Sequence, residues 1–266
     1  AVDRGDLPLL QRVLTEGVHP DTVFNSEFWE LDFCAIHAAV WNGHVSIVET
    51  LLEHGADVDV RAYEVDDDGE TPLMAAAAAG AVDCVTLLLG HGKGVAAATD
   101  DAGRSALMHA ASGRSRECIA ALLSAGSNAT AVDAEGRTPL AHAAAGGDVG
   151  CIEALYAAAP SSLHAMASSG ATPLLECAAG AHADAIELLS SYGASIENAL
   201  ELALRAAPAV AQHAQRAAAH APVEDRHARQ RALTERAHQL GDLIKMLLTF
   251  GLGSGCEGGN VASDDV

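Results

Sequence analysis

Two glycine-rich stretches contain residue types that could bind a phosphate group. In Gly90-His91-Gly92-Lys93-Gly94 a lysine stands between glycines, but Gly94 occupies the position where a phosphate loop has Ser or Thr, and no strand is predicted before it. The second stretch, Gly251 to Gly255, follows a helical pattern, whereas a dinucleotide-binding loop precedes its helix. Neither stretch predicts a nucleotide site, and the sequence indicates no cofactor.

Histidines and cysteines are the next candidates, because both residue types can bind metal ions or take part in catalysis. His213, His220 and His227 are seven residues apart, a rise of about 10.5 Å along a helix, which is too far for one shared Zn²⁺. No Cys or His pair has metal-ligand spacing, so no metal site is expected. A hydrolase needs a nucleophile beside a base and an orienting group. No motif marks such a group, and we predict that the chain is not an enzyme, although residues distant in the sequence could still meet in space.

One block of residues recurs five times along the chain. The copies begin at Cys34, Thr71, Ser105, Thr138 and Thr172, in steps of 37, 34, 33 and 34 residues. A period near 33 residues predicts a stack of small helical units. In the later four copies a Thr or Ser precedes the first helix, where its hydroxyl can accept a backbone N–H. A second helix, such as Val82 to Leu89, then leads to a left-handed turn at Gly55, Gly92, Gly126 or Gly193.

The first copy, Cys34 to Asp59, resembles the ankyrin repeat. The matching residues are Ile36-His37, Ala39, Gly43-His44, Ile47-Val48, Leu51-Leu52 and Gly55-Ala56-Asp57. The resemblance extends from residue 5 to about residue 205. It implies an all-α fold, an α-solenoid of stacked helix-turn-helix repeats, and a non-catalytic protein-interaction module. Two departures stand out: Arg114 replaces a turn glycine, and Ala159-Pro160 replaces the Gly-Ala of the fourth repeat, which predicts an irregular finger (the loop that joins one repeat to the next) at that point.

The repeats divide the chain into four predicted segments. Residues 1–33 form an N-terminal half repeat with an enlarged finger, either as a truncated cap or as the continuation of a protein that begins upstream. Residues 34–197 hold five ankyrin-like repeats. Residues 198–251 form a degenerate capping repeat with an Ala/His/Arg-rich insertion, whose apolar spacing predicts an atypical long C-terminal helix from Val223 to Phe250. Residues 252–266 are rich in Gly, Ser and Asp and are expected to be disordered.

The excess of acidic residues indicates which kinds of partner the chain can attract. With 36 Asp+Glu against 15 Lys+Arg, the net charge is −21, which repels nucleic-acid phosphates and anionic lipids.

No membrane-spanning run and no secretory signal is predicted. Stacking places Cys84, Cys118 and Cys151 about 10 Å apart, too far for disulfides. Buried thiols fit a reducing compartment, so we expect an intracellular, cytoplasmic protein whose oligomeric state the sequence does not determine.

The N-terminal repeats combine acidic and aromatic residues. Residues 1–70 contain 16 Asp+Glu and 3 Lys+Arg, a net charge of −13, and the first two fingers are the longest. Fingers and first-helix ends form the concave wall of such a stack, so we predict that this wall binds a protein partner through a basic segment. Alternatively, the acidic loop is only solvated and the aromatic residues seal the end of the stack. The predicted contact residues are Phe28, Trp29, Trp41, Asn42, Tyr63, Glu64, Asp66, Asp67, Asp68, Glu70, Arg104 and Arg137.

Three roles are compatible with such a surface. The first is a free scaffold or adaptor that holds a partner on its wall. The second is a structural subunit buried in a larger assembly, with the predicted C-terminal helix as the docking element. The third is the regulatory module of an enzyme whose catalytic part lies outside this chain.

Overall fold

The computed structural model describes residues 2–25, 32–62, 69–92 and 95–195. The predicted C-terminal segments 198–251 and 252–266, and the predicted helix from Val223 to Phe250, lie outside the described residues. The described chain begins with a 3₁₀ turn (Val2–Arg4) and helix α1 (Leu7–Thr15), where the Asp6 carboxylate accepts the Leu9 N–H at 3.0 Å. This short turn and helix lie in the segment 1–33, for which the half repeat stays a prediction.

Five pairs of short helices follow and stack on one another. Each pair consists of a first helix and a second helix. In chain order the pairs are α2 (Ala35–Trp41) with α3 (Val45–Glu53), α4 (Pro72–Ala78) with α5 (Val82–His91), α6 (Ala106–Ser112) with α7 (Arg116–Ser124), α8 (Pro139–Gly146) with α9 (Val149–Ala158), and α10 (Pro173–Ala179) with α11 (Ala183–Ser191). First helices pack on first helices of neighbouring repeats, and second helices pack on second helices. The predicted all-α solenoid is confirmed.

Hydroxyl caps begin two of the first helices as predicted. The Thr71 and Thr138 hydroxyls accept the N–H groups of Met74 and Ala141 at 3.4 and 3.3 Å. Each is followed by a proline, which has no N–H to lose at that position. Ser105, by contrast, makes no side-chain cap hydrogen bond, and neither does Thr172 in the last described pair.

The turns after the second helices follow the prediction except at one glycine. Gly55, Gly126 and Gly193 have φ values of 86°, 88° and 98°. Gly92 does not: its φ is −124° and its ψ 124°, because α5 runs on to His91, whose Nδ1 lies 2.9 Å from the Leu87 carbonyl oxygen. The prediction of a left-handed turn at Gly92 is therefore wrong.

Small side chains line the seam between the first helices. Ala76, Ala110 and Ala143 are fully buried at the same position of successive repeats. The five cysteines of the described residues are free and buried, and Cys84, Cys118 and Cys151 are among them, as predicted. Burial raises the pKa of Cys151 and of Cys177 to about 12, so both remain thiols.

The fingers on one side of the stack consist of turns and short extended segments. In the first finger β1 (Val23–Asn25) pairs antiparallel with β2 (Asp32–Cys34). Later fingers join through their backbones, since the Ala134 N–H donates to the Ala102 carbonyl at 2.8 Å and the Ser168 N–H to the Glu135 carbonyl at 2.7 Å. The fourth repeat ends in a 3₁₀ turn (Pro160–His164), the irregularity that the sequence predicted.

Candidate protein-interaction site

Among the predicted contact residues that the structure describes, Trp41 is the one large apolar side chain. It is the last residue of α2 and is 49% exposed. The same position in the later first helices holds Ala78, Ser112, Ala145 and Ala179, so Trp41 stands at the N-terminal end of a row of small side chains. Asn42 follows it, also exposed, and its side-chain amide donates to the Ala38 carbonyl at 2.8 Å. The described part of this end therefore offers an exposed aromatic surface.

The other predicted residues differ in where they lie. Glu70 is buried, with 5% of its surface exposed, so its carboxylate is not part of an exposed acidic surface. Arg104 and Arg137 lie further along the stack, with 32% and 30% of their side chains exposed. The remaining seven lie outside the described residues: Phe28, Trp29, Tyr63, Glu64, Asp66, Asp67 and Asp68.

Each of these two arginines belongs to a polar cluster that was not predicted from the sequence. Arg104 Nε lies 2.7 Å from Asp100 Oδ2, and His109 Nε2 lies 3.0 Å from the same oxygen. One repeat later the arrangement recurs, with Arg137 Nε and His142 Nε2 at 3.1 and 2.9 Å from Asp133 Oδ2. We name these the first and the second Asp-Arg-His clusters.

A signal for these clusters exists in the sequence. Asp, Arg and His recur with the spacing Asp-x₃-Arg-x₄-His, beginning at Asp100 and again at Asp133, 33 residues apart. The spacing carries a finger carboxylate to the first turn of the following helix. It was overlooked because neither the acid nor the histidine belongs to a metal or catalytic motif.

The second cluster contains groups with shifted protonation. Burial alone would raise the pKa of Asp133, but the Arg137 N–H, the His142 ring and the Arg137 charge together hold that pKa below its usual value. Burial lowers the pKa of His142, and the hydrogen bond to Asp133 only partly opposes this shift. The His142 ring is therefore neutral at pH 7, with Nε2–H donating to Asp133. Burial also raises the pKa of the nearby Glu176.

The second cluster also brings a serine to a histidine. Ser112 Oγ lies 3.3 Å from His142 Nδ1, so the hydroxyl donates a hydrogen bond to the neutral ring, and Asp133 orients that ring. The three N–H groups after Ser112 all donate to carbonyls of α6, at 2.8 to 3.3 Å. None of these neighbouring amides is available to stabilise an oxyanion, which acyl transfer requires. We interpret the Ser-His-Asp chain as a structural link between two neighbouring repeats.

The base of the second finger is held by several groups. The Ala62 N–H donates to the Glu70 carbonyl at 2.9 Å, and His37 Nε2 contacts the same oxygen at 3.1 Å. The Arg61 guanidinium donates to the Gly69 carbonyl at 3.1 Å and to the Thr99 carbonyl at 3.0 Å. The finger base is thereby fixed to both neighbouring repeats.

No helix in the described ranges is long and apolar enough to cross a membrane. Within the same part of the chain, no group of three or more His, Cys, Asp or Glu side chains is arranged to hold a metal ion.

Comparison with known proteins identifies the repeat. A family model described as ankyrin repeats in three copies matches residues 60–133 and 115–199, and the single ankyrin repeat model matches residues 32–63. Among solved structures, the ankyrin repeat domain of human ASB11 superposes with a TM-score of 0.62 at 28% identity, over 74% of this chain and 83% of that chain.

Two curated relatives match shorter stretches. The chain is 44% identical over 62 residues to the E3 ubiquitin-protein ligase KEG of Arabidopsis thaliana, and 34% identical over 74 residues to an ankyrin repeat-containing protein of Schizosaccharomyces pombe. These matches cover 23% and 28% of this chain but only 4% and 31% of the relatives. Ankyrin repeats generally mediate protein–protein interaction and are typically non-catalytic. With its repeats matched in sequence and in structure, the chain belongs to the ankyrin repeat family.

Proposed function

We propose that this chain is a non-catalytic scaffold or adaptor that binds a basic segment of a partner protein on the concave wall of its N-terminal repeats. The observation that carries the proposal is the exposure of Trp41, a large aromatic side chain at the end of α2. Tryptophan is one of the residue types enriched at the positions that contribute most to binding energy in protein interfaces. A solvated acidic loop would not require one at this position.

The charge around Trp41 supports a basic partner. Residues 1–70 have a net charge of −13. One of their three cations, Arg61, is held by the Gly69 and Thr99 carbonyls and lies 3.7 Å from Asp101. Asp57 and Asp59 are exposed at the start of the second finger. Because opposite charge speeds encounter, a Lys- or Arg-bearing segment fits this end of the stack.

The proposed contact residues remain those predicted from the sequence, and we assign them different roles in binding. Trp41 is the anchor, and Asp66, Asp67 and Asp68 supply the attraction. Arg104 and Arg137 form the far edge of the surface, where their partly exposed guanidiniums already contact Asp100 and Asp133. Glu70 acts through the finger base and not through direct contact.

We also propose an intracellular location. Five free, buried cysteines fit a reducing compartment, in which disulfides are rare.

A photo-crosslinking amino acid tests the site directly. It replaces Trp41 in one form of the full chain and, as a control, the exposed Thr86 of the second helix α5 in another. After irradiation in lysate, we expect adducts from position 41 whose crosslinked peptide lies in or beside a Lys/Arg-rich segment, and no such adduct from position 86. Adducts from position 86 alone would contradict the proposal and favour a subunit docked through its outer helices.

A further inference from the structure

Three histidines with buried or largely buried side chains lie near the junction of fingers and first helices, and their partners differ. His37 contacts a backbone carbonyl, that of Glu70. His142 contacts one carboxylate, that of Asp133. His109 lies between two carboxylates, with Nε2 3.0 Å from Asp100 Oδ2 and Nδ1 3.6 Å from Glu70 Oε1. The number of facing carboxylates decides how many ring N–H groups each histidine can use.

A neutral His109 does not match its surroundings. A neutral imidazole has one N–H, so a ring that donates to Asp100 would turn the lone pair of Nδ1 towards the Glu70 carboxylate. All these groups are shielded from water, since the side chains of Asp100, Glu70 and His109 are 0%, 7% and 11% exposed. Electrostatic repulsion is strong in such a site, and a second ring proton converts it into attraction.

The local charges lead to the same protonation state. Among the described residues, the charged groups that face His109 are Glu70, Asp100 and Arg104, with His142 of the next repeat beyond them. The two carboxylates flank the ring directly, so a proton on each ring nitrogen gives each carboxylate a donor. In the second cluster, Asp133 and Arg137 already balance each other, and burial keeps His142 neutral.

We infer that His109 is a positioning residue for the second finger: as an imidazolium at neutral pH, it joins Glu70, at the base of that finger, to Asp100 of the next repeat. Glu70 is well placed for this role because its backbone carbonyl accepts the Ala62 N–H and contacts His37 of the preceding repeat. When the ring loses its second proton, its contact with the Glu70 carboxylate is no longer attractive.

The inference predicts opposite pH dependence at two equivalent positions. A histidine whose charged form is favoured by folding stabilises most below the unfolded pKa of about 6.5, and this stabilisation is lost as the pH rises through the folded value. A histidine whose neutral form is favoured, as at His142, loses stabilisation as the pH falls below about 6.5. His109→Gln and His142→Gln are therefore matched variants, because each keeps an amide donor for its aspartate.

Urea unfolding of the full chain between pH 5 and pH 9 separates the two cases. Relative to the wild type, the unfolding constant of His109→Gln should be raised most at low pH, and its excess should decline as the pH rises, by at most about tenfold per pH unit. The excess for His142→Gln should instead grow from pH 5 towards pH 7. Slopes of the same sign for both variants would overturn the inference.

Two measurements do not require a stable variant. In the wild type, the NMR resonance of the His109 ring carbon Cε1 should titrate at higher pH than that of His142. Hydrogen exchange at the Ala62 amide, which donates to Glu70, should be less protected at pH 8.5 than at pH 6 after correction for intrinsic exchange. A His109 ring that is neutral at pH 7, or Ala62 protection that does not change with pH, would contradict the inference.

Discussion

Buried alanines decide how closely neighbouring repeats can approach. Ala110 is fully buried in the seam between first helices. Ala110→Leu should therefore overpack the seam and reduce the free energy of unfolding by about 1–3 kcal/mol. The control is Ala179→Leu, because Ala179 ends α10 with its side chain exposed. Urea unfolding that gave equal losses for the two variants would show that the seam lies elsewhere.

Glycines in this chain serve two different purposes. A Cβ at Gly113 would run into the Ala78 carbonyl oxygen of the preceding repeat, so Gly113→Ala should destabilise the stack by about 1–3 kcal/mol. Gly90 has open space around it and lies within α5, so Gly90→Ala should stabilise by about 0.5–1 kcal/mol. Thermal melts of both variants test the packing. A stable Gly113→Ala protein would mean that first helices are further apart than described.

His37 links acid conditions to stability. Burial lowers the pKa of His37 to about 4, and the hydrogen bond to the Glu70 carbonyl only partly opposes this shift. Because the unfolded chain binds the proton near pH 6.5, this site should cost about 3 kcal/mol of stability as the pH falls from about 6.5 to about 4. His37→Gln should reduce that pH dependence in urea unfolding. An unchanged profile would show that the folded ring accepts a proton readily.

At the level of single residues, the sequence identified positions better than environments. The spacing of repeats predicted an exposed Trp41 and buried cysteines. It did not predict that Glu70 is buried, because a glutamate in an acidic loop is ordinarily solvated. Its carboxylate lies 3.6 Å from the ring of His109, 39 positions away, and the sequence alone does not show that the two side chains meet.

Helix caps differ in strength although their sequences look alike. The Thr138 hydroxyl accepts the Ala141 N–H, whereas the buried Thr172 hydroxyl has no hydrogen-bond partner. Thr138→Ala should therefore cost about 1 kcal/mol, and Thr172→Ala should cost clearly less. Chemical denaturation of the two single variants measures the difference. A larger loss at Thr172 would indicate that its hydroxyl is bonded in solution.

The prediction of elements from the sequence followed their local signals. Thr-Pro and Ser-Ala starts placed four first helices, because a cap and a restricted first residue are local features. The end of α5 at His91 was missed, since a glycine after the helix can adopt either a left-handed or an extended backbone. The pairing of β1 with β2 was also missed, because three-residue strands carry little pattern.

At the scale of the whole chain, the stack separates two kinds of charge. Acidic groups in the finger bases, such as Asp100 and Asp133, are buried and contact Arg or His. Acidic residues such as Asp57 and Asp59 are exposed near the N-terminal end. The sequence predicted the net charge of the chain. It did not predict which acidic residues are buried and which are exposed. Only the exposed group can attract a partner.

The kinetics of binding to the crosslinked partner test the central claim most directly. Attraction between exposed charges is screened as the Debye length shrinks from about 10 Å at 0.1 M to about 3 Å at 1 M salt. Asp66, Asp67 and Asp68 changed together to Asn should slow association and flatten its salt dependence. The control with equal charge loss is Glu49→Gln, Asp83→Asn and Glu117→Gln on the second helices. It should leave the salt dependence almost as in the wild type.

Trp41→Ala completes this measurement by testing the anchor. We expect faster dissociation by about 30-fold, equivalent to about 2 kcal/mol, with little change in the salt dependence of association. Together, slower association in the acidic triple variant and faster dissociation in Trp41→Ala would support binding on the N-terminal wall. Wild-type rates in both variants would contradict it.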